Sequence, residues 1–333
     1  MNIARFFFCC AVSAGALAAG PEEPFLGRWA LTIPGGGAGW LGVTTDRGFL
    51  EANVLWGGGS VVPCDSAYVD GDELVVTRSN EVERKDAAGT VIAKQRFTRI
   101  IRAKVSGDTV TCTLLDPNTN GKGVSISEFS GNRIPDLPPA PDLSKLKFGE
   151  PVQLFNGKDL TGWKLTNDKQ ANGWRAEDGL LINDVAKEEG KPSKPWGNLR
   201  TEAEFEDFNL SCEVYVDPKG NSGIYLRGVY EVQVMDSYGQ PADPHHMGGI
   251  YSRIAPITPA EKPAGQWQSL DITLCDRHVT VILNGTKIID NQPLLGCTGG
   301  ALTSDEFKPG PIYLQGDHTS VKYRNLVLKP IIK

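Results

Sequence analysis

The chain of 333 residues contains little that would bind a metal ion or a nucleic acid. Its four histidines form no HExxH motif and its seven cysteines form no CxxC pair, so no common zinc-binding spacing is present. Lysine and arginine are scattered without forming a block, and the formal net charge is −6. Surfaces that bind nucleic acid or anionic membranes are usually basic. We therefore expect no metal, no cofactor and no nucleic-acid partner.

Long apolar runs are also missing, since only residues 6–17 are predominantly apolar over such a length. This run is shorter than the roughly 20 residues of a membrane-spanning helix. It follows Arg5 and leads into the small residues at 16–20, which is the pattern of a secretory signal peptide. We predict that residues 1–19 are a signal peptide, that the protein is exported to the periplasm or the cell exterior, and that it has no membrane span.

The cysteines beyond the predicted signal peptide are few and widely spaced. Their number is odd, so at least one thiol stays unpaired. A disulfide between Cys64 and Cys112 is one alternative, and buried free thiols are the interpretation that we favour.

Helical periodicity is absent from the rest of the chain. Glycine (38) and proline (22) are frequent, and short β-branched or aromatic runs recur between turn signals, which predicts an all-β protein. Prolines clustered at 135–141 favour an extended connector. We predict a small N-terminal β domain at 25–131, folded as a barrel or curled sheet, a linker at 132–150 and a second domain at 151–333.

The first domain gives little indication of function. We expect strands near residues 27–33, 39–43, 51–56, 73–78, 95–105 and 109–115, because these runs are rich in β-forming residues. Trp29, Trp40 and Trp56 are candidates for a sugar platform, but we favour core positions for them.

In the second domain apolar and polar residues alternate within several runs, at residues 208–216, 222–227, 230–236, 270–274, 279–285 and 311–315. Period-two alternation gives each strand one buried and one presented face, which is typical of antiparallel sheets packed as a sandwich. Asn284 and Gly285 predict a hairpin turn within this domain.

Two of these strands, joined by a tight turn near Gly228, bring polar side chains to one surface. If the apolar side chains face the core, Tyr225, Arg227, Glu231 and Gln233 share the opposite face. A ring that stacks on a sugar, beside groups that hydrogen-bond to hydroxyls, suits a carbohydrate ligand. An ordinary Arg–Glu pair across an exposed sheet is the alternative.

The run from Glu231 to Asp236 resembles the Glu-x-Asp-x-x-Glu strand of jelly-roll β-glucanases, which place two carboxylates at the glycosidic bond. Here an amide, Gln233, replaces the middle acid, and the last acid is shortened to Asp236. These departures change the carboxylate separation, so we do not expect ordinary retaining hydrolysis.

A larger set of motifs follows in order along the second domain: LFNGKDLTGW at 154–163, NSGIYLR at 221–227, YEVQVMD at 230–236, KPAGQW at 262–267, NG at 284–285, LQGDH at 314–318 and YRN at 323–325. Together they resemble the 3-keto-disaccharide hydrolase family. The resemblance implies a concanavalin-like jelly roll acting on glycosides that a separate oxidoreductase has oxidised at C3. Two departures are an extra glycine, Gly316, and a long insertion at 291–309, which we expect to shape one rim of the cleft.

The resemblance and the face argument together suggest residue roles. Glu231 is the first choice for the acid/base and His318 the second, because imidazole titrates near neutral pH. Asp236 would orient one of them or bind a hydroxyl. The cations Arg227, Lys262 and Arg324 would polarise a ketone oxygen or stabilise an enolate. The predicted substrate-binding residues are Asn221, Tyr225, Gln233, Lys262, Gln315, Asp317 and Arg324.

Several of these residues have simpler interpretations. Arg324 would otherwise form a surface salt bridge, and Lys262 would be a charge in a loop. For His245 and His246 we favour a solvated turn over any role as ligands.

The leading hypothesis is cleavage of 3-keto-glycosides or 3-keto-disaccharides by removal of the C2 proton, elimination at C1 and addition of water. Its partners would be the carbohydrate substrate and an upstream sugar 3-oxidoreductase. The alternatives are a non-catalytic, lectin-like carbohydrate-binding protein and an ordinary endo-β-glucanase, because one fold serves several functions.

Overall fold

The computed structural model describes residues 20–185 and 194–332. The predicted signal peptide lies outside these residues, so export stays a prediction. Within them the chain forms strands and two short 3₁₀ helices, Glu23–Phe25 and Leu143–Lys145, and no α-helix. The all-β prediction is confirmed. No helix in the described part of the chain has the length and apolar character needed to cross a membrane.

The first domain is one antiparallel sheet with the strand order β4-β3-β2-β1-β9-β8-β7-β6-β5. Its strands are β1 Gly27–Thr32, β2 Ala38–Asp46, β3 Phe49–Trp56, β4 Val62–Pro63, β5 Ser66–Asp70, β6 Glu73–Lys85, β7 Val91–Ser106, β8 Thr109–Pro117 and β9 Val124–Ile134. β3 also lies beside β5, so the two ends of the sheet approach each other. The six predicted runs fall on β1, β2, β3, β6, β7 and β8, whereas β4, β5 and β9 were not predicted.

The connector between the domains is shorter than its composition suggested. β9 continues to Ile134, which pairs with Arg28 of β1. The next strand, β10 (Lys147–Phe148), already pairs with the C-terminal strand. The irregular segment is therefore confined to about residues 135–146, and it includes the second 3₁₀ helix.

The second domain consists of two antiparallel sheets. Its remaining strands are β11 Val152–Gln153, β12 Trp163–Leu165, β13 Trp174–Glu177, β14 Leu180–Asn183, β15 Leu199–Thr201, β16 Phe208–Val216, β17 Asn221–Leu226, β18 Tyr230–Met235, β19 Gln268–Cys275, β20 His278–Leu283, β21 Thr286–Pro293, β22 Tyr313–Leu314 and β23 Val321–Ile332. One sheet has the order β13-β14-β23-β16-β19-β20-β21, with β10 and β11 also pairing with β23, and the other has the order β12-β15-β22-β17-β18. Buried apolar side chains such as Leu210, Ile272 and Ile224 belong to one core. The predicted jelly-roll β-sandwich is confirmed.

The central strand β23 was not predicted as a strand. It lies between β14 and β16, and its pairing with β16 shifts register opposite Ser211 and Glu213. At Asn325 the backbone adopts φ 54°, in the left-handed region. A bulge of this kind interrupts the period-two alternation from which strands are predicted.

The two domains share a continuous core. Trp40 and Leu55 of the first domain belong to the same buried cluster as the apolar faces of the sandwich. The guanidinium of Arg253 in the second domain lies 4.3 Å from the centre of the Trp40 ring. Trp29 and Trp40 are buried as predicted, while Trp56 is half-buried. The first domain is therefore packed against the sandwich.

The described cysteines form no disulfide. Cys64 is half-buried and Cys112 is buried, and both are free thiols. Burial raises the pKa of Cys64 to about 11 and that of Cys112 to about 12. The predicted alternative of a Cys64–Cys112 bridge is therefore wrong, and the favoured interpretation is confirmed for this pair.

Candidate functional site

A polar cleft with a volume of about 260 Å³ lies on the sheet that contains β22, β17 and β18. Its side-chain lining consists of Asn198, Asn221, Tyr225, Glu231, Gln233, Tyr251, Tyr313, Gln315, Asp317 and His318. Backbone from Gly58, Gly59, Gly299 and Gly300 completes the lining. The last two belong to the insertion at 291–309, which confirms that this insertion forms part of the rim.

Seven of the predicted site residues line this cleft: Asn221, Tyr225, Glu231, Gln233, Gln315, Asp317 and His318. The strand pairing explains why β17 and β18 contribute together. Tyr225 is paired directly with Glu231, and Gly223 with Gln233. β22 places Tyr313 beside Tyr225 on the other edge of β17.

Arg227 does not reach the cleft, and its predicted position was wrong. β17 ends at Leu226, and Arg227 has φ 57°, in the left-handed region, so the alternation of the strand does not continue through it. Its buried guanidinium donates hydrogen bonds to the backbone carbonyl oxygens of Glu306 (2.7 Å) and Lys308 (2.5 Å). These contacts give Arg227 a structural role in holding the insertion.

Three more predicted residues lie outside the cleft lining. Asp236 follows the end of β18, and its side chain accepts a hydrogen bond at 2.9 Å from the backbone N–H of Lys219, in the turn between β16 and β17. The Lys262 ammonium donates to the carbonyl oxygen of Trp267 at 3.1 Å. Arg324, on β23 of the other sheet, pairs with Glu213 at 2.9 Å and covers the Trp267 ring. Their predicted places in the site were wrong, and the simpler interpretations of Lys262 and Arg324 fit their contacts.

Glu231 is a buried acid in the wall of the cleft, with 3% of its surface exposed. Burial raises its pKa from 4.5 to about 8, and the hydrogen bond from the Tyr225 hydroxyl to Oε2 (2.9 Å) opposes this shift. The adjacent Gly223 leaves the space for its carboxyl group, because a Cβ atom there would lie 2.2 Å from Oε1. Glu231 is therefore poised to exchange a proton near neutral pH.

The Tyr225 hydroxyl has two possible acceptors for one proton. They are Glu231 Oε2 at 2.9 Å and the carbonyl oxygen of Gly299 at 2.7 Å. An ionised Glu231 would accept the hydroxyl proton, whereas a protonated Glu231 can donate to the hydroxyl, which then donates to Gly299. The hydroxyl can thus follow the protonation state of Glu231.

The ring of Tyr225 is not an open platform for a sugar. Only 1% of the residue is exposed. Its ring stacks on that of Tyr313, with the centroids 4.2 Å apart and the planes at 12°. The prediction placed Tyr225 on the correct face, but it missed the neighbouring ring that covers it.

His318 and Asp317 form a coupled pair at the mouth of the cleft. His318 Nδ1 lies 2.6 Å from Asp317 Oδ1, and this hydrogen bond raises the pKa of the half-exposed imidazole. Asn198 Oδ1 accepts hydrogen bonds from the backbone N–H groups of Gly316 (2.7 Å) and Asp317 (3.1 Å). The loop containing the extra glycine is therefore fixed to the wall of the cleft.

Sequence reasoning missed several residues of the lining. Tyr313 had a signal, because it alternates with Gln315 within a predicted strand. Asn198 and Tyr251 lie in irregular segments without such a pattern. The contribution of Gly58 and Gly59 depends on how the domains dock, which no local pattern specifies.

The described residues include one group of possible metal ligands, Asp207, Cys275 and Asp276, whose ligand atoms lie within 4.8 Å of one another. None of them lines the cleft.

The family model described as a 3-keto-α-glucoside-1,2-lyase-like domain matches residues 150–329, which is more than half of the chain. The chain belongs to this family. The resemblance inferred from the motifs of the second domain is thereby confirmed.

A curated 3-keto-disaccharide hydrolase from Bacteroides thetaiotaomicron is 23% identical over 166 residues. The alignment covers 42% of this chain and 57% of that relative. The chain therefore spans little more than half the length of this curated family relative.

Solved structures are also similar to part of this chain. One is a Parabacteroides distasonis protein for which glycosyl hydrolase activity has been suggested, and it is 28% identical in sequence. The match covers 59% of this chain and 94% of that protein, with a TM-score of 0.45. A non-specific endo-β-1,3(4)-glucanase of family GH16 is 13% identical, with coverages of 60% and 98% and a TM-score of 0.36.

Proposed function

We propose that the protein cleaves glycosides that carry a ketone at C3, by elimination at C1 followed by addition of water. The observation that carries this proposal is a buried Glu231 with a pKa of about 8 in a cleft that also contains the His318–Asp317 pair. This arrangement offers one base and one acid for proton transfer.

The chemistry needs a base, an acid and a group that stabilises an enolate. A ketone at C3 makes the C2 proton acidic, and the glycosidic oxygen on C1 lies β to the ketone. Removal of the C2 proton gives an enolate, which re-forms the ketone, makes the C1–C2 double bond and breaks the C1–O bond. The departing oxygen takes a proton, and water then adds across the double bond to complete a net hydrolysis. A separate sugar 3-oxidoreductase would have to supply the ketone.

Glu231 acts as the base in this proposal. A carboxylate whose pKa is about 8 is a stronger base than one at the ordinary 4.5, which favours removal of a carbon-bound proton. When Glu231 takes the proton, the Tyr225 hydroxyl can turn to the Gly299 carbonyl oxygen. Tyr225 is thus a positioning residue for the base.

His318 acts as the acid that protonates the leaving oxygen. Its hydrogen bond to Asp317 favours the imidazolium form. With Arg227 and Lys262 elsewhere, His318 is the cleft-lining residue of the described chain that can carry a positive charge. The imidazolium would also stabilise the negative charge of the enolate.

Two amide side chains favour a ligand rich in hydroxyl groups. Asn221 and Gln315 line the cleft, and their side-chain oxygens have no hydrogen-bond partner among the described residues. A buried amide oxygen without a partner is costly, and a sugar hydroxyl is a suitable donor to it. We assign these residues to substrate binding.

Ordinary retaining hydrolysis fits the cleft less well. That reaction uses two carboxyl groups about 5–5.5 Å apart, one of them a nucleophile. The cleft-lining carboxyl groups of the described chain are Glu231 and Asp317, and Asp317 is engaged by His318. Gln233 stands where the glucanase strand carries an acid.

Incubation of the purified protein with a 3-keto-disaccharide and with its unoxidised parent tests the proposal. We expect cleavage of the oxidised sugar alone, and loss of that activity in Glu231→Gln. Lys262→Ala is a matched control outside the cleft and should keep wild-type turnover. Cleavage of both sugars would support a glucanase, and binding without cleavage would support a lectin-like protein.

A further inference from the structure

The first domain contributes a wall to the cleft of the second. Residues 57–61, here called the glycine loop, connect β3 and β4 of the first domain. Gly58 and Gly59 of this loop line the same cleft as Glu231 and His318. The cleft is therefore complete only when both domains are present.

The glycine loop is attached to the sandwich at three places. Ser60 Oγ lies 2.9 Å from Nε2 of His245, whose Nδ1 is 2.7 Å from Asp243 Oδ1. The Gly57 carbonyl oxygen accepts a hydrogen bond from the N–H of Gly300, in the insertion, at 3.1 Å. The N–H of Val61 donates a hydrogen bond to the hydroxyl of Ser252 at 2.9 Å. His245 lies in a turn and is partly exposed, as expected, and it also anchors the loop.

The loop also touches the group that positions the base. A Cβ atom added to Gly299 would lie 2.0 Å from the carbonyl oxygen of Gly59, so the two backbones are in direct contact. The Gly299 carbonyl oxygen in turn accepts a hydrogen bond from Tyr225, the partner of Glu231. The wall supplied by the first domain is therefore adjacent to the proton-transfer residues.

We propose that the glycine loop determines the length of saccharide that the cleft accepts, and restricts it to short 3-keto-glycosides. This inference rests on the proposed function. The cleft volume of about 260 Å³ lies below the range of about 300–1,000 Å³ usual for small-molecule sites, which suits a short saccharide and not a polymer. The first domain thereby acquires a role in specificity.

Gly58 offers a substitution that tests the wall without straining the backbone. Its φ lies outside the left-handed region, and an added Cβ atom would meet nothing within 4 Å. Gly58→Trp should therefore fold normally and narrow the cleft. Gly149→Trp is the matched control, because Gly149 also lacks a left-handed φ, its Cβ contacts are ordinary at 3.7 Å, and it lies outside the cleft lining.

The kinetic readout is the ratio of kcat/KM for a 3-keto-disaccharide to that for a methyl 3-keto-glucoside. Gly58→Trp should lower this ratio about tenfold or more, comparable to the roughly 10–200-fold discrimination that one methylene group of a substrate gives in an apolar pocket. Gly149→Trp should leave it unchanged. An unchanged ratio in Gly58→Trp, or an equal fall for both substrates, would overturn the proposal.

A second readout does not require turnover. The thiol introduced by Gly58→Cys should be alkylated several-fold more slowly by iodoacetamide when maltose or 3-keto-maltose is present, as followed by mass spectrometry. The thiol introduced by Gly149→Cys should show no such protection. If the sugar protects the thiol at position 58 but the wild-type protein cleaves no 3-keto sugar, the glycine loop lines a sugar-binding cleft and the proposed activity is refuted. Absence of protection by either sugar would refute the wall.

Discussion

Glu231→Gln is expected to stabilise the fold at neutral pH while removing activity. In the unfolded chain this carboxyl ionises near 4.5, whereas burial keeps it protonated in the native protein up to about pH 8. Between these values unfolding releases a proton, so the stability of the wild type falls as pH rises. At about 1.4 kcal/mol per pH unit, the whole interval corresponds to roughly 4–5 kcal/mol. The neutral glutamine amide removes this dependence and keeps a hydrogen-bonding partner for Tyr225.

The assay is urea denaturation of both proteins at several pH values between 4.5 and about 8. The stability advantage of Glu231→Gln should increase with pH across this interval. Glu213→Gln is a control of opposite sign, because the hydrogen bond from Arg324 helps to hold the pKa of Glu213 below its usual value. That variant should be less stable than the wild type by a constant amount across this interval, with the difference disappearing only in measurements extended below pH 4.5. A constant or decreasing advantage for Glu231→Gln would refute the reasoning about its burial.

Substitutions at three positions test the geometry of the cleft and its limits. Gly223→Ala should lower kcat about 10²-fold with an unchanged circular dichroism spectrum. The added Cβ atom displaces the Glu231 carboxyl, and a small misplacement of a reacting group lowers the rate strongly. A wild-type kcat would contradict this. Tyr313→Leu should have a free energy of unfolding about 1 kcal/mol below that of Tyr313→Phe, beyond the difference in apolar area, because both variants lose the hydrogen bond from Asn198 but only the leucine removes the ring stacked on Tyr225. Lys262→Ala should leave kcat/KM unchanged, and a large fall would return this lysine to the site.

Local alternation was sufficient to predict the cleft face of the second domain. Tyr225, Glu231 and Gln233 were placed together because antiparallel strands with period-two patterns align their polar faces, and the register confirms this. The resemblance to the family then added His318 and Gln315 from a distant part of the chain.

The failures occurred where the backbone leaves regular strand geometry. The alternation of β17, continued by one residue, predicts that Arg227 faces the cleft. The left-handed φ of Arg227 ends the strand geometry at this residue, so the alternation does not apply to it. β23 escaped prediction because of the bulge at Asn325. Arg324 was placed in the site from its motif, but the strand directs it toward Glu213 in the other sheet.

The glycine loop illustrates a different limit of sequence reasoning. Gly58 and Gly59 have no chemically reactive side chain and belong to a domain without recognised motifs. Their place in the cleft follows from the shared core of the two domains and from the close approach at Gly299. Such tertiary docking is encoded by many dispersed contacts and not by a local pattern.

The central claim of elimination is tested most directly with a 3-keto-disaccharide deuterated at C2. If Glu231 removes this proton before the C1–O bond breaks, cleavage will be slower than with the protonated sugar, and the keto-sugar product will have lost its C2 deuterium to water. Cleavage at an unchanged rate, with the deuterium fully retained at C2 of the product, would contradict the account.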